Sequence, residues 1–474
     1  MSFNLSKILS QEKKKRNIPL EIKKIGNNYY LYHSTTVWLK DKKKRKKKSV
    51  YIGKITSDGV IEGLRKSRVA RSIYEYGNYR LLYELSRDII PLLEKVFSDE
   101  HNEIIAMGMM KVMQDIPIKM MEKVWEKVYL STEISASLSP NSVSKTLKSI
   151  GSDWDSQMRF YKEIMGGDKH FLFDMSSIVS YSENLRMAEK GYNAEHHYLR
   201  QINFILVYSV DRGLPVMIKA MEGSIRDIKA LKQIIKEYGI KGCRIILDRG
   251  FSSYNLVDIM EEREVKYILP LKRNSKMIDY EMKMEGSFTY EGRGIKWGKK
   301  SIEGGRYLYL YEDVKLRGEE ETTYISLIEE GKREKEGLEE EGKRFGKISI
   351  LTNEDGKGDE IYKLYKQREM VEVAFDAMKN EMENDKTYLS DDDAVRGYFF
   401  IAFISLYLYF RVLEEIRRKG LTGKISVKEL LFELSKVYLV NYSDGRKMLS
   451  EIPERVEKLA QTLELDIFPK TLRS

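Results

Sequence analysis

The sequence predicts an α/β protein with a mixed-sheet core that is interrupted by a β-rich segment and flanked by other regions on both sides. Basic, β-rich runs fill roughly the first 60 residues, and residues 171–271 show strand patterns that later alternate with helical ones. After a stretch rich in Gly, Glu, Lys and Tyr, a helical pattern returns near residue 360. The 474 residues are 42% apolar and 33% charged, which is globular composition on a chain long enough for two to four domains.

Composition argues against several classes of protein. The single cysteine, Cys243, allows neither an intramolecular disulfide nor a cysteine-based zinc site. The first 16 residues lack the apolar stretch of a signal peptide. The longest apolar run, Gly397–Phe410, is shorter than the roughly 20 residues that cross a bilayer, and it predicts a buried helix. We therefore expect a cytoplasmic protein without a membrane partner.

Positive charge is concentrated at the amino terminus. Residues 1–50 carry a net charge of +12, and since the whole chain carries +10, the remaining 424 residues sum to −2. A block of this kind releases counterions from a phosphate backbone and so favours nucleic-acid binding, although a solvated loop would look the same. The β-rich runs 29–32, 35–39 and 49–55 predict an antiparallel hairpin with these cations at its tip. The candidate DNA-binding residues are Lys43, Lys44, Arg45, Lys46 and Lys47.

From about Ser67 to Ile164 the pattern is helical, with apolar residues three and four positions apart. Ser139-Pro140 is typical of a helix start. Both a helix-turn-helix and an ordinary helical bundle fit this region.

The next segment predicts an α/β core. Three consecutive strands are followed by alternating helix and strand, which is the order of an RNase H-like α/β core. The predicted strands are 171–175, 202–210, 215–220, 244–247 and 267–271, and the predicted helices are 227–238, with Asp227 as its cap, and 254–263.

Residues 281–350 appear as an insertion in this core. Tyr307–Tyr311 and Thr322–Ile328 predict strands, and the charged tract Glu329–Arg344 predicts a solvated hairpin end or a mobile loop. From Glu360 to the carboxyl terminus we expect helices with breaks. The predicted regions are 1–66 (basic, β-rich, DNA-binding), 67–165 (helical, DNA-binding), 166–280 (core, first part), 281–350 (β-rich insertion), 351–415 (core, second part) and 416–474 (helical).

Two carboxylates follow or interrupt apolar strands. Asp174 lies inside Phe171–Met175, and Asp248 ends the run that begins at Ile245. A carboxylate in such a place is costly unless it is paired or binds a cation, and ligands bind at the carboxyl ends of strands in α/β sheets. The alternative is that each aspartate caps a turn or the next helix.

A third acid stands on a patterned helix. Tyr365, Arg368, Glu372 and Lys379 fall within an arc of roughly 60° on a regular helix. The alternative is a surface helix on which Arg368 and Glu372 form an ordinary pair. Glu369 and Asp376 lie near the edges of the arc and are the alternative acids.

These four residues, with intervals of two, three and six residues, resemble the signature of insertion-sequence DDE transposases that carry a β-rich insertion before the last acid. The family usually has threonine after the first aspartate, where this chain has Met175, and an aromatic residue where it has Glu369. The resemblance spans residues 171–410 and also rests on Phe173-Asp174, Gly191-Tyr192, Asp211 to Pro215, Gly223 with Asp227, and Leu247 to Phe251.

The resemblance implies catalysis by two Mg²⁺ or Mn²⁺ ions. Asp174 would bridge them, while Asp248 and Glu372 would each complete one site. Tyr365, Arg368 and Lys379 would contact phosphates at the element end. Further candidates near DNA are Arg249, Trp297 (which would hold a flipped base or serve in packing), His196, His197, Lys272 and Arg273.

The predicted function is that of a DNA transposase. It would bind terminal inverted repeats, cut at the element ends and join them to target DNA, with double-stranded DNA as partner and a homodimer assembled on two ends. Two alternatives are a catalytically silent relative that only binds DNA and an RNase H-like nuclease that acts on branched nucleic acid.

Overall fold

A computed structural model describes residues 5–39, 44–56, 59–62, 69–113, 116–191, 199–381, 386–387 and 389–472. The chain divides into two compact units. The first takes in the chain up to Ile73 and Leu439–Met448, and the second takes in Tyr74–Tyr438 and the chain from Leu449 onward.

Regular structure occupies most of the described chain. The strands are β1 (Leu20–Ile25), β2 (Asn28–Leu39), β3 (Lys44–Thr56), β4 (Gly59–Glu62), β5 (Ala70–Glu75), β6 (His170–Ser180), β7 (Glu189–Lys190), β8 (Arg200–Ser209), β9 (Leu214–Glu222), β10 (Arg244–Ile246), β11 (Lys266–Pro270), β12 (Gly286–Tyr290), β13 (Arg293–Ile302), β14 (Arg306–Asp313), β15 (Lys347–Thr352), β16 (Lys386–Thr387), β17 (Tyr438–Tyr442) and β18 (Lys447–Leu449). The helices are α1 (Leu5–Arg16), α2 (Gly77–Leu85), α3 (Ile90–Val96), α4 (His101–Met113), α5 (Met121–Trp125), α6 (Pro140–Ser152), α7 (Trp154–Met165), α8 (Asp227–Tyr238), α9 (Tyr254–Glu262), α10 (Val314–Glu329), α11 (Gly337–Gly342), α12 (Gly358–Lys366), α13 (Glu369–Asp376), α14 (Asp392–Arg418), α15 (Val427–Leu434) and α16 (Glu454–Thr462).

The first unit is built on an antiparallel sheet in the order β1-β2-β3-β4. Leu20, Leu31 and Ile55 are buried on the face that the apolar residues of α1 cover. The predicted hairpin is confirmed, but the prediction that the basic run forms its tip is wrong for Lys44–Lys48, which lie in β3. A second sheet pairs β5 with β17 and β17 with β18.

Two regions predicted as helical contain strands instead. Ala70–Glu75 forms β5, and the chain near the carboxyl terminus forms β17 and β18. These strands are too short for their alternating pattern to stand out from the surrounding helical one. Ile73 and Val440 are β-branched residues that suit a strand. Ser139 does cap α6 as predicted, because its Oγ accepts a hydrogen bond from the Ser142 N–H.

The core sheet of the second unit has the predicted topology. Strands β6, β8 and β9 are consecutive antiparallel neighbours, and β10 and then β11 join the other side of β6 in parallel. Because β8 and β9 are joined by a short turn, whereas β10 and β11 follow helices, the sheet is mixed. This confirms the RNase H-like core. Asp227 is the first residue of α8 and not its cap, which is Arg226.

The predicted insertion extends this sheet. Its order continues from β11 through β15, β14, β13 and β12, each antiparallel to the next. The prediction of a strand at Thr322–Ile328 is wrong, since these residues lie in α10. Asp313 caps that helix by accepting hydrogen bonds from two backbone N–H groups, which offsets the β propensity of its threonines. Part of the charged tract also forms a helix, α11.

Helix α14 is the central helix of the second unit. Its residues 397–410 are almost all buried, as the apolar run predicted. Phe400 and Phe403 pack against Tyr161 of α7 with ring centroids 5.7 and 5.0 Å away. In the part of the chain that the structure describes, no helix has both the length and the apolar character needed to span a membrane.

An ion pair links the start of β10 to the end of β15. Arg244 Nε and a terminal guanidinium nitrogen lie 2.5 and 2.7 Å from the two carboxylate oxygens of Glu354, whose side chain is 10% exposed. Burial raises the pKa of Glu354, but the hydrogen bonds and charge of Arg244 and the charge of Lys266 outweigh it, so the pKa lies below its usual range. The pair therefore stabilises the fold at neutral pH and loses this effect as pH falls through the lowered pKa.

Replacement of Glu354 by glutamine should lower the stability of the second unit by about 2 kcal/mol at pH 7. Thermal unfolding at pH 7 and at about pH 3 measures this, and the difference from the unsubstituted protein should shrink at the lower pH. Glu454→Gln is the control, because the Glu454 side chain is 82% exposed and its pairing with Lys458 is worth little. An equal loss at both pH values would contradict a contribution from the charged pair.

Candidate active site

The first candidate acid, Asp174, lies in the middle of β6. The strand is fully buried from Phe171 to Phe173 and becomes half-buried at Asp174, so the carboxylate stands where the sheet begins to open to solvent. One of its oxygens accepts a hydrogen bond from the Met175 N–H at 2.8 Å. The costly position noted in the sequence is therefore only partly buried.

The second, Asp248, follows β10 and precedes a short 3-10 turn, Arg249–Phe251. Strands β10 and β6 are parallel, with Ile246 opposite Leu172. Asp248 and Asp174 each lie two residues further on, so continuation of this register sets them at the same level of the sheet. Asp248 accepts no hydrogen bond from the turn as a side-chain cap, which removes the alternative of a capping role there.

The third, Glu372, stands on α13, and here the predicted regular helix is wrong. Helix α12 ends at Lys366, α13 begins at Glu369, and residues 377–381 form a π-helical turn. Between α12 and α13 the backbone makes i to i+3 hydrogen bonds, such as Arg368 N–H to Tyr365 C=O at 3.2 Å, which tighten the helix. The arc of 60° calculated for a uniform helix therefore does not hold from Tyr365 to Lys379.

Arg368 joins two of the acids. One terminal nitrogen of its guanidinium pairs with Asp248, and the other lies 2.6 Å from Glu372 Oε1. Burial lowers the pKa of Arg368, but Tyr365, Asp248, Glu372 and Asp174 together raise it above its ordinary value. All three candidate acids thus act on one cation.

The alternative acids are placed differently. Glu369 is half exposed and pairs with Lys366, so it points to a neighbour on the helix and not to Arg368. Asp376 lies in the last turn of α13 and is exposed. Of these acids, Glu372 is the one that shares a guanidinium with Asp248.

The other signature residues lie close by along the chain. Tyr365 is 7% exposed, and its ring centroid lies 5.8 Å from the Arg368 guanidinium carbon. Lys379 lies in the π-helical turn and is half-buried.

Trp297 lies on β13, and its ring packs on Gly358 at the start of α12, where an added Cβ would come within 2.1 Å of the indole.

A cleft of about 640 Å³ is lined by Met175 and Gly250, which are close in sequence to Asp174 and Asp248, but by neither acid. Because successive side chains of a strand point to opposite faces, Met175 faces away from Asp174. Lys190, Arg226 and Lys272 also line it. Among the residues that the structure describes, no carboxylate pairs with these three cations. The sequence had suggested Lys272 but missed Lys190 and Arg226, because cations from distant parts of the chain share no fixed spacing.

Glycines shape one wall of this cleft. A Cβ at Gly223 would lie 2.1 Å from the backbone oxygen of Gln201, and one at Gly191 would lie 2.1 Å from that of Gly223. Asn203 donates hydrogen bonds to the carbonyls of Gly223 and Ile225 at 3.0 and 2.8 Å, which holds the loop between β9 and α8 in place. His196 and His197 lie outside the described residues.

The amino-terminal candidates belong to the first unit. Lys44, Arg45, Lys46 and Lys47 lie in β3 and are exposed, whereas Lys43 lies outside the described residues. Lys47 pairs with Glu21 at 2.7 Å.

The acids suit a divalent cation in their chemistry, because carboxylate oxygens are the ligands that Mg²⁺ and Mn²⁺ prefer. Their side chains are accessible, with Asp248 39% and Glu372 51% exposed. As they are placed here, with Arg368 between two of them, no three acids or other ligands in the described residues lie close enough together to hold a metal ion. A guanidinium thus supplies the positive charge that these acids attract.

Comparison with known proteins gives a match over this part of the chain. Residues 166–408, just over half of the sequence, match the family model of the transposase DDE domain. No curated protein matches the chain. Among solved structures, a cryo-EM structure of a piggyBac transposase synaptic complex with hairpin DNA is similar, with 12% identity, a TM-score of 0.42, and coverage of 86% of this chain and 87% of that one.

Proposed function

This chain belongs to the DDE transposase family, and from that premise we propose that Asp174, Asp248 and Glu372 are the acids with which it cuts and joins DNA at the ends of a mobile element. The shared guanidinium of Arg368 is the observation that supports this choice. It brings together acids that are separated by more than 120 residues in sequence. The parallel pairing of β6 with β10, which ends two residues before Asp174 and Asp248, supports Asp174 as the third acid.

The three carboxylates would hold two Mg²⁺ or Mn²⁺ ions, with Asp174 shared between them. Divalent ions in such a site activate a water molecule or a DNA 3′ hydroxyl and stabilise the oxygen that leaves. Arg368 neutralises Asp248 and Glu372 while they lack a metal, since two unpaired carboxylates on either side of one guanidinium would repel each other. A guanidinium can also donate two hydrogen bonds to one phosphate group, so DNA offers Arg368 a second partner.

The cleft lined by Met175 and Gly250 would hold DNA near the site of cleavage. Lys190, Arg226 and Lys272 provide positive charge along it without competing carboxylates among the described residues. Phosphate contacts of this kind position a strand without reading its sequence. Tyr365 and Lys379 would contact DNA phosphates on the side of the site formed by α12 and α13.

The first unit would bind DNA through the exposed cations of β3, and a homodimer would assemble on two element ends. The chain would recognise terminal inverted repeats there before cleavage. The basic block supports DNA as the partner, because lysine and arginine side chains attract DNA phosphates whatever the base sequence.

Cleavage of the element's own DNA tests this function. The substrate is a supercoiled plasmid that carries this gene with several hundred base pairs of its native flanking DNA on each side. We expect cleavage in Mg²⁺ or Mn²⁺ at positions that flank the gene, and none in EDTA. Binding without cleavage in either metal would instead support a silent DNA-binding relative, and preferential cleavage of branched DNA would support a nuclease.

A further inference from the structure

We propose that the outer half of the β2–β3 hairpin enters the major groove of duplex DNA. This half, which we term the ribbon, consists of Thr35–Leu39 and Lys44–Lys48. The proposal rests on the proposed function in one respect, which is that DNA is the partner. It adds the element that enters the DNA, the groove, and the side chains that contact the phosphates.

The ribbon extends beyond the rest of its sheet. Strand β1 pairs with β2 only as far as His33, and β4 pairs with β3 only from Gly53 to Thr56. Among the described strands, none therefore pairs with the outer side of the five pairs from Thr35 opposite Lys48 to Leu39 opposite Lys44. At about 3.3 Å per residue, the ribbon is about 16 Å long.

The ribbon carries cations on both faces. Side chains alternate along a strand, so Lys44, Lys46 and Lys48 point to one face and Arg45 and Lys47 to the other. All five are exposed, and neither β2 nor β3 contains an aspartate or glutamate. Among the described residues, only Lys47 of these five pairs with a carboxylate, that of Glu21.

Cations on both faces fit a groove better than a flat surface. A single strand that lies on a sheet contacts one face, through stacked aromatic rings and cations on that face. A ribbon inside a groove has a phosphate backbone on each side, so both of its faces need positive charge. Exposure of Val37 and Trp38, at 44% and 55%, shows that both faces of β2 are also open to solvent here.

The dimensions favour the major groove. A β-ribbon with its side chains is roughly 10 Å thick, close to the roughly 12 Å width of the major groove and well above the roughly 6 Å of the minor groove. Thr35, Thr36 and Val37 on β2 are short enough to let that strand approach the base edges.

The ribbon is dispensable for the core of its unit. The buried residues Leu20, Leu31 and Ile55 lie at the base of the hairpin, where Leu5 and Ile8 of α1 pack against them. The exposed cations of the ribbon therefore stabilise nothing in that core. Their replacement should leave the fold intact, and thermal unfolding of each variant checks this.

The first test measures binding of the full chain to a fluorescent 24-base-pair duplex of arbitrary sequence, in EDTA, over a series of salt concentrations. Lys44, Lys46 and Lys48 are replaced together by glutamine in one variant, and Arg45 and Lys47 in another. We expect the slope of log affinity against log salt to fall by roughly 2 to 3 in the first and by up to about 2 in the second. Lys54→Gln, an exposed cation at the base of β3, should change the slope by no more than about 1.

The second test identifies the groove. Glucosylated 5-hydroxymethylcytosine fills the major groove of a duplex, whereas netropsin occupies the minor groove. We expect the glucosylated duplex, but not netropsin, to remove the difference in affinity between the unsubstituted protein and the ribbon variants. Three results would overturn the proposal. They are a smaller salt slope in only one of the two ribbon variants, an equal loss of affinity of the variants for single-stranded DNA, and removal of the affinity difference by netropsin alone. Because EDTA prevents cleavage, these results do not depend on whether the three acids are catalytic.

Discussion

Asp248→Ala should reduce cleavage of the plasmid with native flanks by roughly a thousandfold or more. Loss of a metal-binding carboxylate removes about 4 kcal/mol or more of transition-state stabilisation, and each 1.4 kcal/mol corresponds to about a tenfold change in rate. Initial rates of nicking in Mg²⁺, read from gels, measure the effect. Affinity for DNA in EDTA should not fall, because the substitution removes a negative charge and leaves Arg368 available to phosphate.

The matched control for this variant is Asp258→Ala. Asp258 is an aspartate of α9 whose side chain is 60% exposed and pairs with Arg306 at 3.1 Å. It should cleave at the rate of the unsubstituted protein. If Asp248→Ala retains normal cleavage, Asp248 is not a metal ligand and the assignment of the three acids is wrong.

Glu372→Ala should cause a loss of similar size, while Glu369→Ala should stay within a few-fold of the unsubstituted rate. Glu369 is the closest matched control that the chain offers, since it is the same residue type, lies one helical turn earlier on α13 and is also about half exposed. Asp376→Ala is the second comparison, because Asp376 is the other alternative acid that the sequence suggested. The same nicking assay in Mg²⁺ and in Mn²⁺ measures all three.

These variants decide which acid of α13 takes part. The choice of Glu372 rests on Arg368, which pairs with it and with Asp248 at once. Should Asp376→Ala or Glu369→Ala abolish cleavage while Glu372→Ala cleaves normally, the helix would supply a different acid and Arg368 would serve only as a structural counter-ion. Unchanged thermal unfolding of each variant separates loss of activity from loss of fold.

Arg368 gives the site two ways to neutralise its acids. Its raised pKa keeps it charged throughout the neutral range, so the pairing with Asp248 and Glu372 does not depend on pH there. If the proposed function holds, metal ions would compete with the guanidinium for the same carboxylate oxygens.

Local patterns predicted much of the core. Strand β8 and the long buried helix α14 agree with their predicted positions, because burial on both sides leaves an unambiguous signal. Strand β6 contains its predicted residues 171–175 but continues to Ser180, where its burial is only partial. Errors arose where propensity and context disagree. The threonines of α10 suggested a strand, but the cap at Asp313 and tertiary packing place them in a helix.

The signature helix shows a second kind of limit. Spacing alone suggested that Tyr365 and Lys379 share a face with Glu372, on the assumption of 100° per residue. The tight turn at Arg368 and the π-helical turn from Ala377 change that rotation. Such local changes depend on what the helix packs against, so no count along the sequence can provide them.

By itself, the sequence determined which residues could do chemistry: two aspartates in or after apolar strands, one glutamate on a patterned helix, and a block of cations near the amino terminus. Only the tertiary structure decided that Asp174 and Asp248 lie at one level, since that depends on the pairing of β6 with β10. It alone brought Arg368 to both Asp248 and Glu372, and Lys190 and Arg226 to one cleft. The physical reason is that residue type and spacing fix local charge and burial, whereas contacts between distant residues follow from how the strands and helices pack.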